Sequence, residues 1–259
     1  MKFMGYYIKC TTVHNDTIAI IFGKAEYSFV QIITKEKSYW QKSDWKFSKK
    51  GITLNIENAK GNITFGTFSH PKYHAMGPLR FLPFLECKHT VLSMYHEISG
   101  KLTVGGKNYN FDGGRGYIEG DYGKSFPQKY FWTQSFLSSD VYVFAAAAKI
   151  PYLGLKLNGT VCIIHQNGLE YRLATYLGAR VITFTKDTLK ITQRKKVFEI
   201  YVSIPVKNKR ELFAPINGKM TRAVVETVQT LVRFKFVDSG KTVFDITDPT
   251  ASFEYSVNT

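Results

Sequence analysis

The sequence predicts an all-β protein made of two similar halves, each a β-barrel or β-sandwich, with an apolar cavity. The first supporting observation is the aromatic content: 20 Phe, 16 Tyr and 3 Trp in 259 residues, and aromatic and β-branched side chains fit pleated, half-buried surfaces. Second, short alternating patterns follow one another with turn residues between them. Third, the two halves carry matching patterns in the same order.

Many short strands at regular spacing are typical of a sandwich or barrel. The predicted strands cover residues 1–9, 17–22, 27–34, 52–56, 62–68, 90–98, 101–104, 130–135, 141–146, 159–165, 180–185, 188–192, 197–204 and 228–237. Gly105-Gly106 and Ser239-Gly240 predict hairpin turns. The best helix candidate is residues 219–227, where Arg222 and Glu226 would form a surface pair four residues apart.

An internal repeat organises these strands. The matched pairs are residues 6–11 with 130–135, 18–20 with 142–144, 54–56 with 189–191, and Glu86 with Glu226. The first two pairs share one separation of 124 positions. We therefore divide the chain into an N-terminal half, 1–124, and a C-terminal half, 125–259, and expect a ligand site in a barrel mouth or at the seam between the halves.

The glycine-rich block at residues 113–127 is the densest candidate for function. Its five glycines and one proline predict unusual backbone, and loops of this kind often carry function. Glu119 and Asp121 are two apart, so on a strand they share a face. Two close carboxylates in an apolar cavity cannot both ionise at low cost, so one keeps a proton near neutral pH. The alternative is a solvated turn whose acids pair with Arg115 or Lys124.

A second polar segment spans residues 77–96. Glu86, His89 and His96 match no common zinc spacing, so no metal site is predicted. Cys87 and His89 lack an orienting third group, so nucleophilic catalysis is not predicted either.

Charge and cysteine content limit the partners and the compartment. The net charge is +15, but the lysines are scattered and no nucleic-acid motif accompanies them, so no specific nucleic-acid binding is expected. The charge leaves weak peripheral contact with an anionic membrane open. Three distant cysteines predict free thiols and a reduced, cytoplasmic setting, and the first residues resemble a strand more than a signal peptide.

Four phrases resemble the tocopherol cyclase family: FLPFLECKH at 81–89, GYIEGDYGKSFP at 116–127, FWTQ at 131–134 and APINGKMTR at 214–222. They occur in the family's order, and the resemblance runs from Gly5 to Glu254. It implies a two-domain lipocalin-like fold, akin to that of carotenoid hydratases, with an apolar cavity. Tocopherol cyclase protonates a prenyl double bond and closes a chromanol ring by attack of the neighbouring phenol.

Two hypotheses follow from the residues and the resemblance together. In the first, Asp121 or Glu119 is a general acid towards an isoprenoid double bond, leading to cyclisation or hydration without a cofactor or metal. The expected ligand contacts are Tyr117, Tyr122, Trp132, Gln134, Glu86, His89, His96 and Glu226. In the second, the same cavity carries a hydrophobic ligand, such as a prenyl quinol or a lipid, without chemistry. A buried acid that holds its proton near neutral pH distinguishes the two.

Overall fold

Two antiparallel sheets account for nearly all regular structure in the computed structural model, which describes residues 2–45, 47–83, 85–152, 155–203, 210–217 and 219–257. The first sheet contains β1 (Phe3–Thr11), β2 (Thr17–Lys24), β3 (Ser28–Thr34), β4 (Ser38–Lys42), β5 (Phe47–Ser48), β6 (Gly51–Ile56), β7 (Ala59–Phe65), β8 (Cys87–Val104), β9 (Lys107–Asn110) and β10 (Gly114–Gly123).

The second sheet contains β11 (Lys129–Phe136), β12 (Val141–Tyr152), β13 (Leu155–Gln166), β14 (Leu169–Ala174), β15 (Arg180–Phe184), β16 (Thr188–Gln193), β17 (Lys196–Ser203), β18 (Arg210–Ile216), β19 (Lys219–Asp238) and β20 (Lys241–Val257). Short 3₁₀ helices lie at Gly77–Phe81 and Thr175–Leu177. In the described ranges, no helix is long and apolar enough to cross a bilayer.

The two sheets have the same strand order. It is β4-β3-β2-β1-β10-β8-β7-β6-β5 in the first and β14-β13-β12-β11-β20-β19-β17-β16-β15 in the second, with β9 beside β8 and β18 beside β19. The predicted all-β fold with two similar halves is confirmed. The repeated sequence patterns at 6–11 and 130–135 lie in β1 and β11, which occupy equivalent places. Division into domains at residues 124 and 125 stays a prediction.

Three apolar clusters show how the sheets pack. One is built from the first sheet, including Ile20 and Leu54, and one from the second, including Val143 and Phe234. Each sheet therefore curls around its own core, as a barrel-like half does. The third cluster joins the halves across a seam, with Tyr7 from β1 and Trp132 from β11. The seam is where residues of both halves meet.

Strand β10 is regular although it is rich in glycine. The expectation of unusual backbone holds at Gly113, whose φ is 72°, but not at the glycines within β10. There, glycine permits close approach: a Cβ on Gly116 would lie 2.3 Å from His96 Nε2. Most of the block, residues 114–123, therefore forms an extended strand that places alternate side chains on the seam.

The structure tests two predicted hairpin turns and one predicted helix. Gly105 and Gly106 have φ of 56° and 84°, and Ser239 and Gly240 have 52° and 79°, so both predicted hairpin turns are confirmed. The helix expected at residues 219–227 is wrong. This segment begins β19, where β-branched residues and pairing with β18, and from Val225 onward with β20, favour a strand. Its predicted surface pair is replaced by buried side chains at Arg222 and Glu226.

The strands predicted at 90–98 and 101–104 are one strand, β8, which continues through Gly100 at a φ of 119°. The prediction of three free thiols is confirmed, since Cys10, Cys87 and Cys162 are all unpaired.

Candidate active site

A cavity of about 160 Å³ opens at the seam. It is bounded by β8 and β10 of the first half, by β11, β12, β13 and β20 of the second, and by the connection between β7 and β8. Its apolar wall includes Met76, Leu79, Phe126, Phe131, Ile150 and Val161. The ionisable groups on this wall are Cys87, His89, Glu119, Asp121, Tyr130, Tyr176 and Glu254. The cavity therefore combines an apolar lining with a concentrated set of acids.

Glu119 is the most enclosed of the acids brought in by β10. Its Oε2 atom accepts hydrogen bonds from the Tyr117 hydroxyl at 2.5 Å and from the Trp132 indole N–H at 2.9 Å. Burial raises the pKa of the Glu119 carboxyl to about 7; His89 opposes this, and the charge of Asp121 adds to it. Near neutral pH the Glu119 carboxyl thus exists in both protonation states.

His89 sits between the two carboxyl groups. It lies on β8 directly opposite Asp121, with Nδ1 3.0 Å from Asp121 Oδ1 and Nε2 3.4 Å from Glu119 Oε2. Its ring stacks on Phe144 with centroids 5.1 Å apart. Burial by itself lowers the pKa of His89, but the charges of Glu119 and Asp121 outweigh burial and raise it to about 9. His89 is therefore an imidazolium at neutral pH, oriented by Asp121.

The same three side chains also form a possible metal set. One ligand atom each from His89, Glu119 and Asp121 lies within 4.8 Å of the others. This differs from the combination weighed from the sequence, because within the described ranges Glu86 and His96 do not join His89 in such a group. One candidate ligand atom, Glu119 Oε2, already accepts two hydrogen bonds from protein donors, Tyr117 and Trp132. The donor set therefore fits a hydrogen-bonded acid better than a bare metal site.

Glu254 is an acid of this cavity that the sequence reasoning missed. It lies on β20 opposite Trp132 and accepts a hydrogen bond from the Tyr130 hydroxyl. Burial raises its pKa to about 8; the Tyr130 bond opposes the rise, and the charge of Glu119 adds to it. The available signal was the polar alternation along β20, with Thr250, Ser252, Glu254 and Ser256 two residues apart.

Glu226 is buried behind Glu254. The two residues face each other in the register of β19 and β20, but Glu226 does not line the cavity. In the described part of the chain, neither carboxyl oxygen of Glu226 has a well-formed hydrogen bond; the nearby Tyr7 hydroxyl donates to Ser252 at 3.0 Å. Burial and the charge of Glu254 raise the pKa of Glu226 well above its usual range.

Tyr117 and Tyr122 have different places, although both were expected to face the cavity. Tyr117 is fully buried and donates its hydroxyl hydrogen bond to Glu119 Oε2. Tyr122 is 44% exposed, with Lys2 Nζ 5.2 Å from its ring centroid. The expectation for Tyr122 is corrected by strand alternation, because residues 117, 119 and 121 share one face and residue 122 takes the other.

Glu86 and His96 also lie outside the cavity lining. Glu86 is half-buried in the connection before β8, where its carbonyl accepts the Lys124 N–H at 2.7 Å. His96 is buried within the first half, with its ring 4.9 Å from Phe65 and 4.7 Å from Phe68. Burial lowers the pKa of His96 to about 4, so it is neutral. The structure therefore places neither residue on the wall of the cavity, and their expected ligand contacts stay predictions.

Gln134 shares the seam face of β11 with Trp132 but lies beyond the cavity lining. Its backbone carbonyl accepts a hydrogen bond from Lys9 Nζ at 3.5 Å, and its side-chain amide has no hydrogen-bond partner among the described residues.

The two cations that the sequence offered as partners of Glu119 and Asp121 do not pair with them. Arg115 donates to Asn15 at 2.8 Å, and Lys124 is exposed. Among described residues, the cation beside Glu119 and Asp121 is His89.

The profile of the tocopherol cyclase-like family matches residues 33–256. The chain belongs to this family. The resemblance seen in the sequence phrases is thereby confirmed. Curated proteins show no significant sequence match.

Solved structures with the same fold include two distant members of this architecture. Kievitone hydratase from Nectria haematococca superposes with a TM-score of 0.60 at 14% identity, over 98% of this chain and 89% of its own. A protein from Nitrosomonas europaea, provisionally named AttH, gives a TM-score of 0.56 at 10% identity, over 98% of this chain and 91% of its own. At these identities the likeness concerns the fold.

Proposed function

We propose that this member of the tocopherol cyclase-like family adds a proton to a carbon–carbon double bond of an apolar, isoprenoid-type substrate, and so catalyses cyclisation or hydration. The observation that carries the proposal is Glu119, a carboxyl group with its pKa near 7 on the wall of an apolar cavity. Family membership supports the reaction class, and one structural neighbour is by name a hydratase.

Glu119 is the proton donor in this account. Its Oε2 atom already accepts two hydrogen bonds, from Tyr117 and Trp132. A neutral carboxyl has one O–H and one acceptor oxygen, so its proton resides on Oε1. The imidazolium of His89, 3.4 Å from Oε2, stabilises the carboxylate that remains after the proton has left.

The atoms balance without an oxidant or reductant. The double bond takes the Glu119 proton on one carbon, and positive charge develops on the other. A hydroxyl oxygen, from the substrate's own phenol or from water, forms the C–O bond and then loses its proton to the Glu119 or Asp121 carboxylate. The product is an isomer of the substrate in cyclisation, or its hydrate. If the cationic carbon lies over the face of the Trp132 indole, the indole stabilises it by roughly 1–2 kcal/mol.

The test uses prenylated hydroquinones and prenylated phenols as substrates. Glu119→Gln keeps the shape of the side chain and removes its proton, so we expect kcat to fall by about 100-fold or more while ligand binding is retained. Asp121→Asn frees the His89 ring and should also lower kcat. Glu97→Gln, at an exposed position on β8, is the matched control and should leave turnover unchanged.

Unchanged turnover in both Glu119→Gln and Asp121→Asn would remove these acids from the mechanism. Binding of the whole panel by the wild-type protein without any turnover would favour the hydrophobic carrier.

A further inference from the structure

The connection between β7 and β8, residues 66–86, forms one wall of the cavity and is fastened to both halves. Arg172 of the second half donates to the carbonyls of Tyr73 at 2.8 Å and His74 at 3.0 Å. Gly77 packs so closely on Tyr176 that a Cβ would lie 2.5 Å from the ring. We call residues 66–86 the covering segment. Its inner side supplies Met76 to the cavity.

The outer side of the covering segment exposes large apolar side chains. Phe81 is 73% exposed, Tyr73 is 63% exposed, and Leu177 of the neighbouring 3₁₀ helix is 45% exposed. All three line one depression on the surface together with Lys72 and Arg80. Single exposed apolar residues are common, whereas a contiguous group marks a contact surface.

Cations accompany these apolar side chains. The Arg80 guanidinium lies 4.5 Å from the Phe81 ring centroid, and Lys72 Nζ lies 5.7 Å from that of Tyr73. The acid in the same depression, Glu170, is neutralised by Arg172 at 2.9 Å. Between residues 57 and 86 the sequence contains no Asp or Glu. The depression is therefore both apolar and cationic.

We propose that this face docks on an anionic lipid surface. Tyr73, Phe81 and Leu177 would enter the interfacial layer, where aromatic side chains partition favourably, and Lys72 and Arg80 would contact acidic headgroups. An acidic lipid surface complements both the charge and the apolar character of the face. Because the opposite side of the same segment lines the cavity, docking here brings an apolar ligand next to its site. This inference does not depend on any reaction in the cavity.

The experiment measures binding of the full chain to vesicles of phosphatidylcholine, with and without roughly one-quarter phosphatidylserine. We expect binding to the acidic vesicles that weakens in about 0.5 M NaCl. Tyr73→Ser with Phe81→Ser should weaken it about tenfold or more, and Arg80→Ala about fivefold. Val13→Ser is the control. Val13 is 57% exposed and follows the end of β1 farthest from Asp121, so binding should be unchanged.

Thermal unfolding of each variant checks that these exposed substitutions preserve the fold. Equal binding by Val13→Ser and by the double variant would overturn the proposal, because Tyr73 and Phe81 would then contribute nothing specific, as in diffuse adsorption driven by the net charge of +15. Absence of vesicle binding by the wild-type protein would overturn it as well, and would leave this face to a protein partner.

Discussion

At the scale of single residues, burial and four neighbours set the protonation of Glu119. Burial and the charge of Asp121 raise its pKa, whereas His89 and the hydrogen bonds from Tyr117 and Trp132 lower it. The outcome near 7 is a compromise between these effects. A general acid works best when its pKa is close to the working pH, so the donors that hold Glu119 also tune it.

Trp132→Phe tests this tuning. Loss of the indole N–H removes a hydrogen bond that stabilises the Glu119 carboxylate, so the pKa of Glu119 should rise. The acid form is then present up to a higher pH, and the alkaline fall in kcat/KM should move upward by about 1 pH unit. Trp45→Phe is the control, because the Trp45 indole donates to the Gly23 carbonyl instead. A profile that is unmoved or shifted to lower pH would contradict the assignment of Glu119 as the acid.

Glu254 predicts a pH dependence of stability. Its pKa in the folded protein, about 8, is above the ordinary value, so its contribution to stability is fully present at low pH and is lost as the pH rises through 8. Glu254→Gln removes this loss. Between about pH 5 and 8, the free energy of unfolding of the variant should rise relative to that of wild type by about 1.4 kcal/mol per pH unit.

Chemical denaturation at several pH values measures this difference, with Glu97→Gln as the exposed control. A difference that does not change with pH would show that Glu254 is ionised in the folded protein.

At the scale of elements, β10 carries the site. Alternation along this strand could be predicted from the two-residue spacing of Glu119 and Asp121, and the structure places both at the cavity. The same alternation places Tyr122 on the opposite face, away from the cavity, and this could have been inferred from the sequence. The opposition of His89 and Asp121 across β8 and β10 was not available, because β8 has extra residues opposite positions 116–119 of β10 that shift the register, and register depends on tertiary pairing.

Gly116→Ala tests why β10 contains glycine. The new Cβ would meet His96 Nε2 at 2.3 Å, and His96 is held by Ser93 at 3.0 Å, so the strand must shift. We expect a loss of about 1–3 kcal/mol in the free energy of unfolding. The closest clash is with the His96 ring, and Ile98 Cγ2 at 2.8 Å is the next contact. Gly116→Ala combined with His96→Ala should therefore lose less than the sum of the single variants, as measured by a double-mutant cycle. Strictly additive losses would mean that another contact requires the glycine.

At the scale of the whole molecule, the repeat explains how the site is assembled. The matching strand orders of the two halves were predictable from the repeated sequence patterns in β1 and β11, because equivalent strands keep the same pattern of apolar and polar residues. The packing of one half on the other was not predictable, because it depends on which faces become the seam. Glu254, far along the chain from Glu119, reaches the same cavity only through that packing. The polar alternation along β20 could place Glu254 on one face of a strand, but local spacing could not reveal that this face meets Glu119.

The central claim is that this seam transfers a proton to carbon. Turnover of a prenylated hydroquinone in D₂O tests it most directly, because the carboxyl proton of Glu119 exchanges with solvent and the carbon–hydrogen bond formed on the double bond does not. We expect a cyclised or hydrated product with one deuterium on the carbon that accepts the proton, as located by NMR and mass spectrometry. Product without carbon-bound deuterium, or ligand that is bound and released unchanged, would contradict the account.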